Sequence, residues 1–221
     1  MKLYPTPTTR FVVVDIETAA LNPEEAKGAL SALTGRIVCI GMLIDDGQQI
    51  TELTLADENE TVLLQRFWQE VRPLDVFIGH NILSFDLPFI RQRSWINGVR
   101  PSRRIDLRKY YTQDVQDTMQ IFSVWGATSI PKLDALAVAF DLPRKTASGA
   151  DVAEWWAKRD LGAIADYCRE DVRLTYKVFL RLMFQPLPAR ILRLVCAPQD
   201  NASSATALTA CPLPNAGPAP R

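Results

Sequence analysis

Acidic residues occur at three places in this chain where the neighbouring sequence predicts the end of a strand or the face of a helix. Asp15 and Glu17 follow the apolar run at residues 11–14, which predicts a buried strand. Residues two apart in a strand point to the same face, with Cα atoms roughly 7 Å apart, so both carboxylates can reach one site. Acids gathered by a fold repel one another unless cations neutralise them, and carboxylates that hold divalent metals support phosphodiester hydrolysis.

The other two segments add further carboxylates and one hydroxyl. Asp86 comes just after the predicted strand at residues 76–79, at the start of a helix that contains Pro88 in its first turn. Tyr167 and Asp171 are four residues apart in a helical pattern, which puts both side chains on one face, about 6 Å apart along the axis. Because α/β folds usually bind ligands where strands lead into helices, the three segments are expected to form one site.

A second Tyr-x-x-x-Asp pair, Tyr110 and Asp114, competes with Tyr167 and Asp171. Asp114 lies in a polar stretch that has no sustained apolar face. The later pair belongs to a segment whose apolar residues recur every three or four positions, as expected for a helix packed on a core. That stripe comprises Leu161, Ile164, Cys168, Val172, Tyr176, Phe179 and Met183. We therefore assign Tyr167 and Asp171 to the site.

The order of these motifs resembles that of the DEDD superfamily of 3′-to-5′ exonucleases, in the subgroup with tyrosine in the third motif. Asp-x-Glu at a strand end is followed by Asn81-x-x-x-Phe85-Asp86 and then by Tyr167-x-x-x-Asp171. The wider phrases Gly-His-Asn-Ile-Leu-Ser-Phe-Asp-Leu-Pro-Phe and Tyr-Cys-Arg-Glu-Asp-Val look like those of stand-alone exonucleases related to the proofreading domain of family-B DNA polymerases. The likeness covers about residues 10–183.

This resemblance implies a two-metal hydrolysis with Mg²⁺ or Mn²⁺ as the two divalent cations. It implies that Asp15 bridges both ions, that Glu17 and Asp171 complete the shell of the water-activating ion, and that Asp86 acts through the second ion. Tyr167 is expected to orient the attacking water, because an unperturbed phenol is a poor base near pH 7. The expected product is a 5′-mononucleotide.

The resemblance also implies contacts to the substrate by Asn81, Phe85 and Lys145. Asn81 and Phe85 are expected to shape the site or contact the terminal nucleotide, and Lys145 to touch the substrate backbone, with a solvated loop lysine as its alternative. The expected substrate is the 3′ end of single-stranded nucleic acid, with DNA favoured over RNA. A ribonuclease D-like RNA 3′ trimming enzyme and a catalytically silent nucleic-acid-binding module remain as alternatives.

Several other residues are given structural rather than chemical roles. His80 is the only histidine; it belongs to the second motif rather than the third, so a hydrogen-bonded structural role is favoured. Asp106 and Asp117 are interpreted as solvated surface acids, with a position near the metals as the alternative. The large aromatics Trp95, Trp125, Trp155 and Trp156 are interpreted as core rather than as stacking surfaces for bases.

Basic residues are concentrated just after Asp86 although the whole chain has a net charge of zero. Such a run is usually a solvated face, with phosphate contact as the alternative. Neutrality of the whole argues against a protein that coats long nucleic acid, while a short grip on a strand end stays compatible. The run contains a single acid, Asp106, and its basic residues are Arg91, Arg93, Arg100, Arg103, Arg104, Arg108 and Lys109.

The resemblance implies a ribonuclease H-like α/β fold, and the elements that must position the motifs agree with it because they fit a mixed β-sheet flanked by α-helices. Strands are predicted at residues 11–16, 37–44, 50–55 and 76–79, with a hairpin through Asp45-Asp46-Gly47. Helices are predicted at residues 62–71, 85–95, 132–140, 152–156 and 161–183. A capping box over residues 57–60 is expected to begin the first of them.

Length and composition predict one domain over residues 1–196, which the resemblance implies is an exonuclease domain, and a disordered tail over residues 197–221, which is rich in Ala, Pro, Ser and Thr. No apolar run approaches the length of a membrane span, and the N-terminus lacks the features of a signal peptide, so we expect a cytoplasmic protein without membrane partners. Cys39, Cys168, Cys196 and Cys211 show no paired metal-ligand spacing, which favours reduced thiols without zinc or disulfides.

Overall fold

The computed structural model describes residues 10–46, 48–144, 147 and 149–185. Its centre is a five-stranded sheet in the order β3-β2-β1-β4-β5. β1 pairs antiparallel with β2, which pairs antiparallel with β3, whereas β4 lies parallel to β1 and β5 parallel to β4. The predicted mixed sheet is therefore confirmed. The strands are β1 (Phe11–Ala20), β2 (Gly35–Asp45), β3 (Ile50–Ala56), β4 (Val76–Gly79) and β5 (Val115–Asp117).

Helices cover both faces of this sheet. The five predicted helices are present, with ends that differ by a few residues from the predicted ones, and the five-residue helix α3 and a short 3₁₀ helix (Ala26–Leu30) were not predicted. None of the described helices is both long enough and apolar enough to span a bilayer. The helices are α1 (Glu60–Glu70), α2 (Asp86–Ile96), α3 (Thr118–Phe122), α4 (Leu133–Ala139), α5 (Gly149–Ala157) and α6 (Leu161–Leu182).

The alternation of side chains along β1 divides the core into two layers. Val12, Val14 and Ile16 pack with side chains of α1 and α2. Phe11 and Val13 point to the opposite face, where they pack against α6. Because successive strand residues alternate between faces, the odd-numbered positions that follow Val13 are directed toward α6. Asp15 and Glu17 occupy those positions.

A buried ion pair joins α1 to α2 on the other face. The Glu60 carboxylate accepts hydrogen bonds from Arg93 Nε at 2.9 Å and Arg93 Nη2 at 2.6 Å, and from the backbone N–H of Ile37 at 2.7 Å. Both side chains are at least nine-tenths buried. Arg93 therefore does not belong to a solvated basic face, contrary to the prediction.

The predicted capping box at the start of α1 is also wrong, because Glu60 pairs with Arg93 instead of capping the helix. Glu60 is directed into the core, while Asn59 is the N-cap and accepts hydrogen bonds from the backbone N–H groups of Thr61 and Val62. Asp57 accepts from the backbone N–H of Asn59 one step earlier. Two successive side-chain caps thus replace the expected reciprocal pair.

The predictions about the hairpin, the cysteines and the tail concern described residues only in part. Strands β2 and β3 form the predicted hairpin, and the Asp46 carboxylate accepts from the backbone N–H groups of Gln48 and Gln49 in its turn. Cys39 and Cys168 are free and buried. The predicted tail at residues 197–221, Cys196, Cys211, Gly47 and Lys145 lie outside the described residues.

Candidate active site

The middle of β1 presents two carboxylates toward α6. Asp15 pairs across the ladder with Gly41 and Glu17 with Cys39, and a register shift follows Glu17. Ligand atoms of Asp15, Glu17 and Cys168 all lie within 4.8 Å of one another. The strand therefore places both acids within reach of a single cation, as the two-residue spacing predicts.

The helix α6 brings Tyr167 and Asp171 to the same place. Both are buried side chains on the face of α6 that packs on the sheet. Helix and sheet approach closely at Gly41, where an added Cβ would lie 2.8 Å from Cys168 Sγ and 2.8 Å from Val172 Cγ2. Since Gly41 is the ladder partner of Asp15, this close approach sets the spacing between the strand acids and the helix. Sequence analysis did not single out this glycine.

Asp86 joins the site from the sheet's other layer, at the first position of α2. Its Oδ1 accepts a hydrogen bond from the backbone N–H of Ile16, between the two acids of β1, at 3.1 Å. Burial raises the pKa of Asp86 to about 7, and the negative charges of Asp117 and Asp171 act in the same direction. The hydrogen bond from Ile16 opposes this shift without cancelling it.

The Tyr167 hydroxyl lies within the field of the carboxylates. Burial raises its pKa, and the charges of Asp171, Glu17 and Asp15 raise it further, as does a hydrogen bond to Asp171. The phenol therefore stays protonated at neutral pH and can act only as a hydrogen-bond donor or acceptor. The ring is held by Trp155, whose centroid lies 5.9 Å away.

The donor set suits a hard divalent cation. Asp15, Glu17, Asp86 and Asp171 supply carboxylate oxygens, the ligands that Mg²⁺ and Mn²⁺ prefer. Burial is the main cause of the raised pKa of Asp86, and the charges of Asp117 and Asp171 add to it; a cation would offset both effects. The nearby Cys168 thiol stays protonated because burial raises its pKa, so the carboxylates are the available ligands.

The turn between β4 and α2 holds the second motif. Asn81 has a left-handed backbone with φ of 63°, and its carbonyl accepts from the N–H groups of Ser84 and Phe85. Gly79 precedes it, and an added Cβ there would lie 2.5 Å from Ile82. The Phe85 ring packs on the core and lies 5.4 Å from that of Phe89. Asn81 therefore shapes the loop that delivers Asp86.

His80 makes hydrogen bonds through both ring nitrogens. Nδ1 lies 2.9 Å from Thr118 Oγ1, and Nε2 lies 3.2 Å from the carbonyl oxygen of Pro131. A carbonyl only accepts, so Nε2 carries the proton and donates it there. The predicted hydrogen-bonded structural role is confirmed.

Asp117 is a buried acid, and its interpretation as a solvated surface residue is wrong. It ends β5 and caps α3, with the backbone N–H groups of Met119 and Gln120 donating to it. It also accepts from the N–H groups of Asn81 at 3.0 Å and Leu83 at 3.1 Å, which ties down the turn before Asp86. Burial raises the pKa of Asp117. Asp106, by contrast, pairs with Arg108 at the surface.

The competing tyrosine motif lies elsewhere. Tyr110 is 65% exposed, and its ring is tilted by 60° against that of Trp125 at a centroid distance of 5.0 Å. Asp114 accepts from the backbone N–H of Asp106 at 3.2 Å. Neither is among the groups that shift the pKa of Asp86 or Tyr167, so the geometry favours the pair on α6.

Of the four tryptophans interpreted as core, Trp155 and Trp156 pack against a core cluster. Trp125, Trp155 and Trp156 are partly buried, but Trp95 is 65% exposed. Trp95 lies on the outer face of α2, where the Arg91 guanidinium stands 5.5 Å from its ring centroid. Its interpretation as core is wrong.

The fold that carries these acids is ribonuclease H-like. A solved structure described as that of the family B DNA polymerase from the hyperthermophilic archaeon Pyrobaculum calidifontis superposes with a TM-score of 0.59 at 22% sequence identity. The match covers 79% of this chain and 24% of the polymerase chain. Similarity at this identity shows the fold alone, and the chain spans about a quarter of that polymerase's length.

The sequence also matches a family model over residues 30–187, and the chain belongs to that family, described as predicted 3′-5′ exonucleases related to the exonuclease domain of PolB. The matched region includes Asp86, Tyr167 and Asp171 and begins after Asp15 and Glu17. None of the curated proteins matches significantly.

Proposed function

We propose that this protein hydrolyses the terminal phosphodiester at the 3′ end of single-stranded nucleic acid, with DNA preferred over RNA, and releases 5′-mononucleotides. The observation that carries the proposal is the convergence of Asp15 and Glu17 from β1, Asp86 from α2 and Asp171 from α6 around the middle of β1. Membership of a family related to the PolB exonuclease domain supports the choice of DNA.

In this proposal the four carboxylates hold two divalent cations, Mg²⁺ or Mn²⁺, with Asp15 as the shared ligand. Bound there, the cations would lower the pKa of water and neutralise the charge that develops on the leaving 3′ oxygen. Asp86 enters the site half protonated near pH 7, so cation binding would displace its proton. The turn tied by Asp117 fixes the position of this carboxylate.

Tyr167 has a positioning role in the proposed reaction. Its hydroxyl remains protonated because burial and the surrounding acids raise its pKa, so it cannot serve as the base. It can hydrogen-bond the attacking water and hold it in line with the phosphorus. Asn81 and Phe85 at the turn, and Lys145 outside the described residues, are the proposed contacts to the terminal nucleotide and the backbone.

The test is an assay of the full chain on matched 5′-labelled single-stranded DNA and RNA with Mg²⁺ or Mn²⁺. A metal-dependent ladder that shortens from the 3′ end of DNA is expected, and EDTA or Asp15→Ala should abolish it. Preference for RNA would favour a trimming enzyme. Binding without degradation of either strand would contradict catalysis and leave a silent binding module.

A further inference from the structure

A groove lined by arginines lies beside α2, outside the carboxylate site. Its volume is about 1130 Å³, larger than the roughly 300–1,000 Å³ typical of small-molecule pockets. Five arginines against two aspartates give its lining a net charge of +3, in a chain whose total charge is zero. The charged lining residues are Arg91, Arg100, Arg103, Arg104, Arg108, Asp106 and Asp114.

Three of these guanidinium groups are held against aromatic rings. Arg91 lies 5.5 Å from the ring centroid of Trp95, Arg103 lies 5.5 Å from that of Phe77, and Arg108 lies 4.9 Å from that of Tyr111. Such stacking fixes the planar groups. Arg108 already donates through Nε and Nη2 to Asp106, whereas Arg91 Nε has no hydrogen-bond partner among the described residues.

Two further arginines are exposed, and the charge of one of them, Arg104, lowers the pKa of Asp106 without a salt bridge between the two. Among the described residues, neither Arg100 nor Arg104 forms a salt bridge, whereas Arg108 is paired with Asp106. Their charge is therefore available to an external ligand. Guanidinium groups bind phosphate oxygens through two parallel hydrogen bonds, a geometry that suits a phosphodiester backbone.

The groove follows one face of α2. Leu87, the residue after Asp86, lines it together with Arg91 and Trp95, which come four and eight residues later. At a rise of 1.5 Å per residue, Arg91 lies about 7.5 Å and Trp95 about 13.5 Å along the helix axis from Asp86. A strand with its end at the carboxylates can thus reach both side chains.

We propose that this groove binds the backbone of the same single strand whose 3′ end lies at the carboxylates, and that the exposed Trp95 ring stacks on one of its bases. The ligand class rests on the proposed function. An acidic protein segment would match the charge, but it gives no role to an exposed tryptophan beside the arginines, whereas base stacking on such rings is common.

The test compares Arg100→Gln/Arg104→Gln with Arg66→Gln/Arg181→Gln, two exposed arginines that do not line the groove. Anisotropy of fluorescein-labelled dT20 is measured in EDTA, so that no cleavage occurs. The groove variant should bind roughly tenfold more weakly than the control, with a slope of log affinity against log salt lower by about two. Trp95→Ala should weaken binding roughly fivefold with the slope unchanged.

Kinetics separate this inference from the proposed function. With Mn²⁺, the groove variant should show a raised KM for dT20, an unchanged kcat, and wild-type kinetics on a trinucleotide too short to fill the groove. Wild-type cleavage of both substrates with equal dT20 binding by groove and control variants would overturn the groove and leave the exonuclease intact. Absence of cleavage by the wild type would overturn the proposed function, while arginine-dependent dT20 binding in EDTA would still support the groove.

An acidic protein as the ligand gives a different result. If the groove variant loses affinity for polyglutamate while it binds dT20 as the control does, the groove is a protein-docking surface and the inference is wrong.

Discussion

The negative charge of buried acids is balanced differently at two places in this molecule. Glu60 is matched inside the fold, by Arg93 and by the backbone N–H of Ile37. Asp86 instead lies near two other acids, and its buried carboxyl has a pKa raised to about 7. The first arrangement is electrostatically complete in the protein alone, whereas the second becomes complete with a cation. The difference separates an acid that stabilises the fold from acids suited to hold metal.

The largest expected effect is the loss of activity on removal of a charge from the carboxylate site. Asp171→Asn keeps the side-chain volume and should lower the rate of nucleotide release at least about a thousandfold, roughly 4 kcal/mol of transition-state stabilisation. Stability without metal should not fall, because the charge of Asp171 helps raise the pKa of Asp86. Rate assays and thermal melts in EDTA measure the two effects.

The control for that prediction is the competing motif. Asp114→Asn should retain wild-type activity. If Asp114→Asn is inactive while Asp171→Asn is active, the assignment of the tyrosine motif to α6 is wrong.

The next largest expected effect is a loss of stability when Glu60 loses its cationic partner. Arg93→Ala leaves Glu60 buried without its cation and should lower the free energy of unfolding by about 3 kcal/mol, as measured by urea denaturation. The double variant Glu60→Met/Arg93→Met removes both charges and should be much less destabilised. Equal losses in the two variants would show that packing, not charge, dominates at this pair.

Sequence predicts part of this difference between the two kinds of buried acid. How much it predicts depends on how far apart the interacting residues lie in the chain and on how long each helix or strand is. The apolar period of α6 and the buried run of β1 predict where Asp15 and Asp171 lie, because both elements are long. Glu60 looks like a helix-cap residue in sequence, since its partner Arg93 is 33 residues away. Asp117 was misread because its strand β5 has only three residues, too few to show an alternating pattern.

Close contacts that arise only when helices and strands pack together could not be predicted from the sequence. Gly41 lies in an apolar run like any strand glycine, and only the packed structure shows that Cys168 leaves no space for a Cβ. Likewise, the basic run mixes the buried Arg93 with the exposed Arg100. Their separation follows from the helical turn of α2 and the loop after it, which a count of charges does not capture.

A smaller effect is the pH dependence of stability without metal. The pKa of Asp86 is about 7 in the folded chain and about 3.9 when unfolded, so the folded state binds more protons between these values. The stability from this group is fully present below pH 4 and is lost as pH rises through 7, by at most about 1.4 kcal/mol per pH unit. Thermal melts in EDTA from pH 5 to 8 should show this fall.

Two additions sharpen the pH measurement. Asp86→Asn should flatten the slope, because it removes the titrating group. Mn²⁺ at about a hundredfold excess over its dissociation constant should restore about 2.7 kcal/mol to the wild type at pH 8. A slope that persists in Asp86→Asn would assign the effect to another acid, of which Asp117 is the first candidate because burial raises its pKa as well.

The smallest expected effect tests the hydroxyl group of the site. Tyr167→Phe removes the hydroxyl but keeps the ring that packs on Trp155, so fold and metal affinity should be nearly unchanged. The rate should fall about tenfold, or about 1.4 kcal/mol, since one hydrogen bond to the attacking water is lost while the carboxylates remain. The pH–rate profile distinguishes the two roles of the phenol. A positioning hydroxyl leaves the shape of the profile unchanged in the variant, whereas loss of a limb of the profile would mean that Tyr167 transfers a proton.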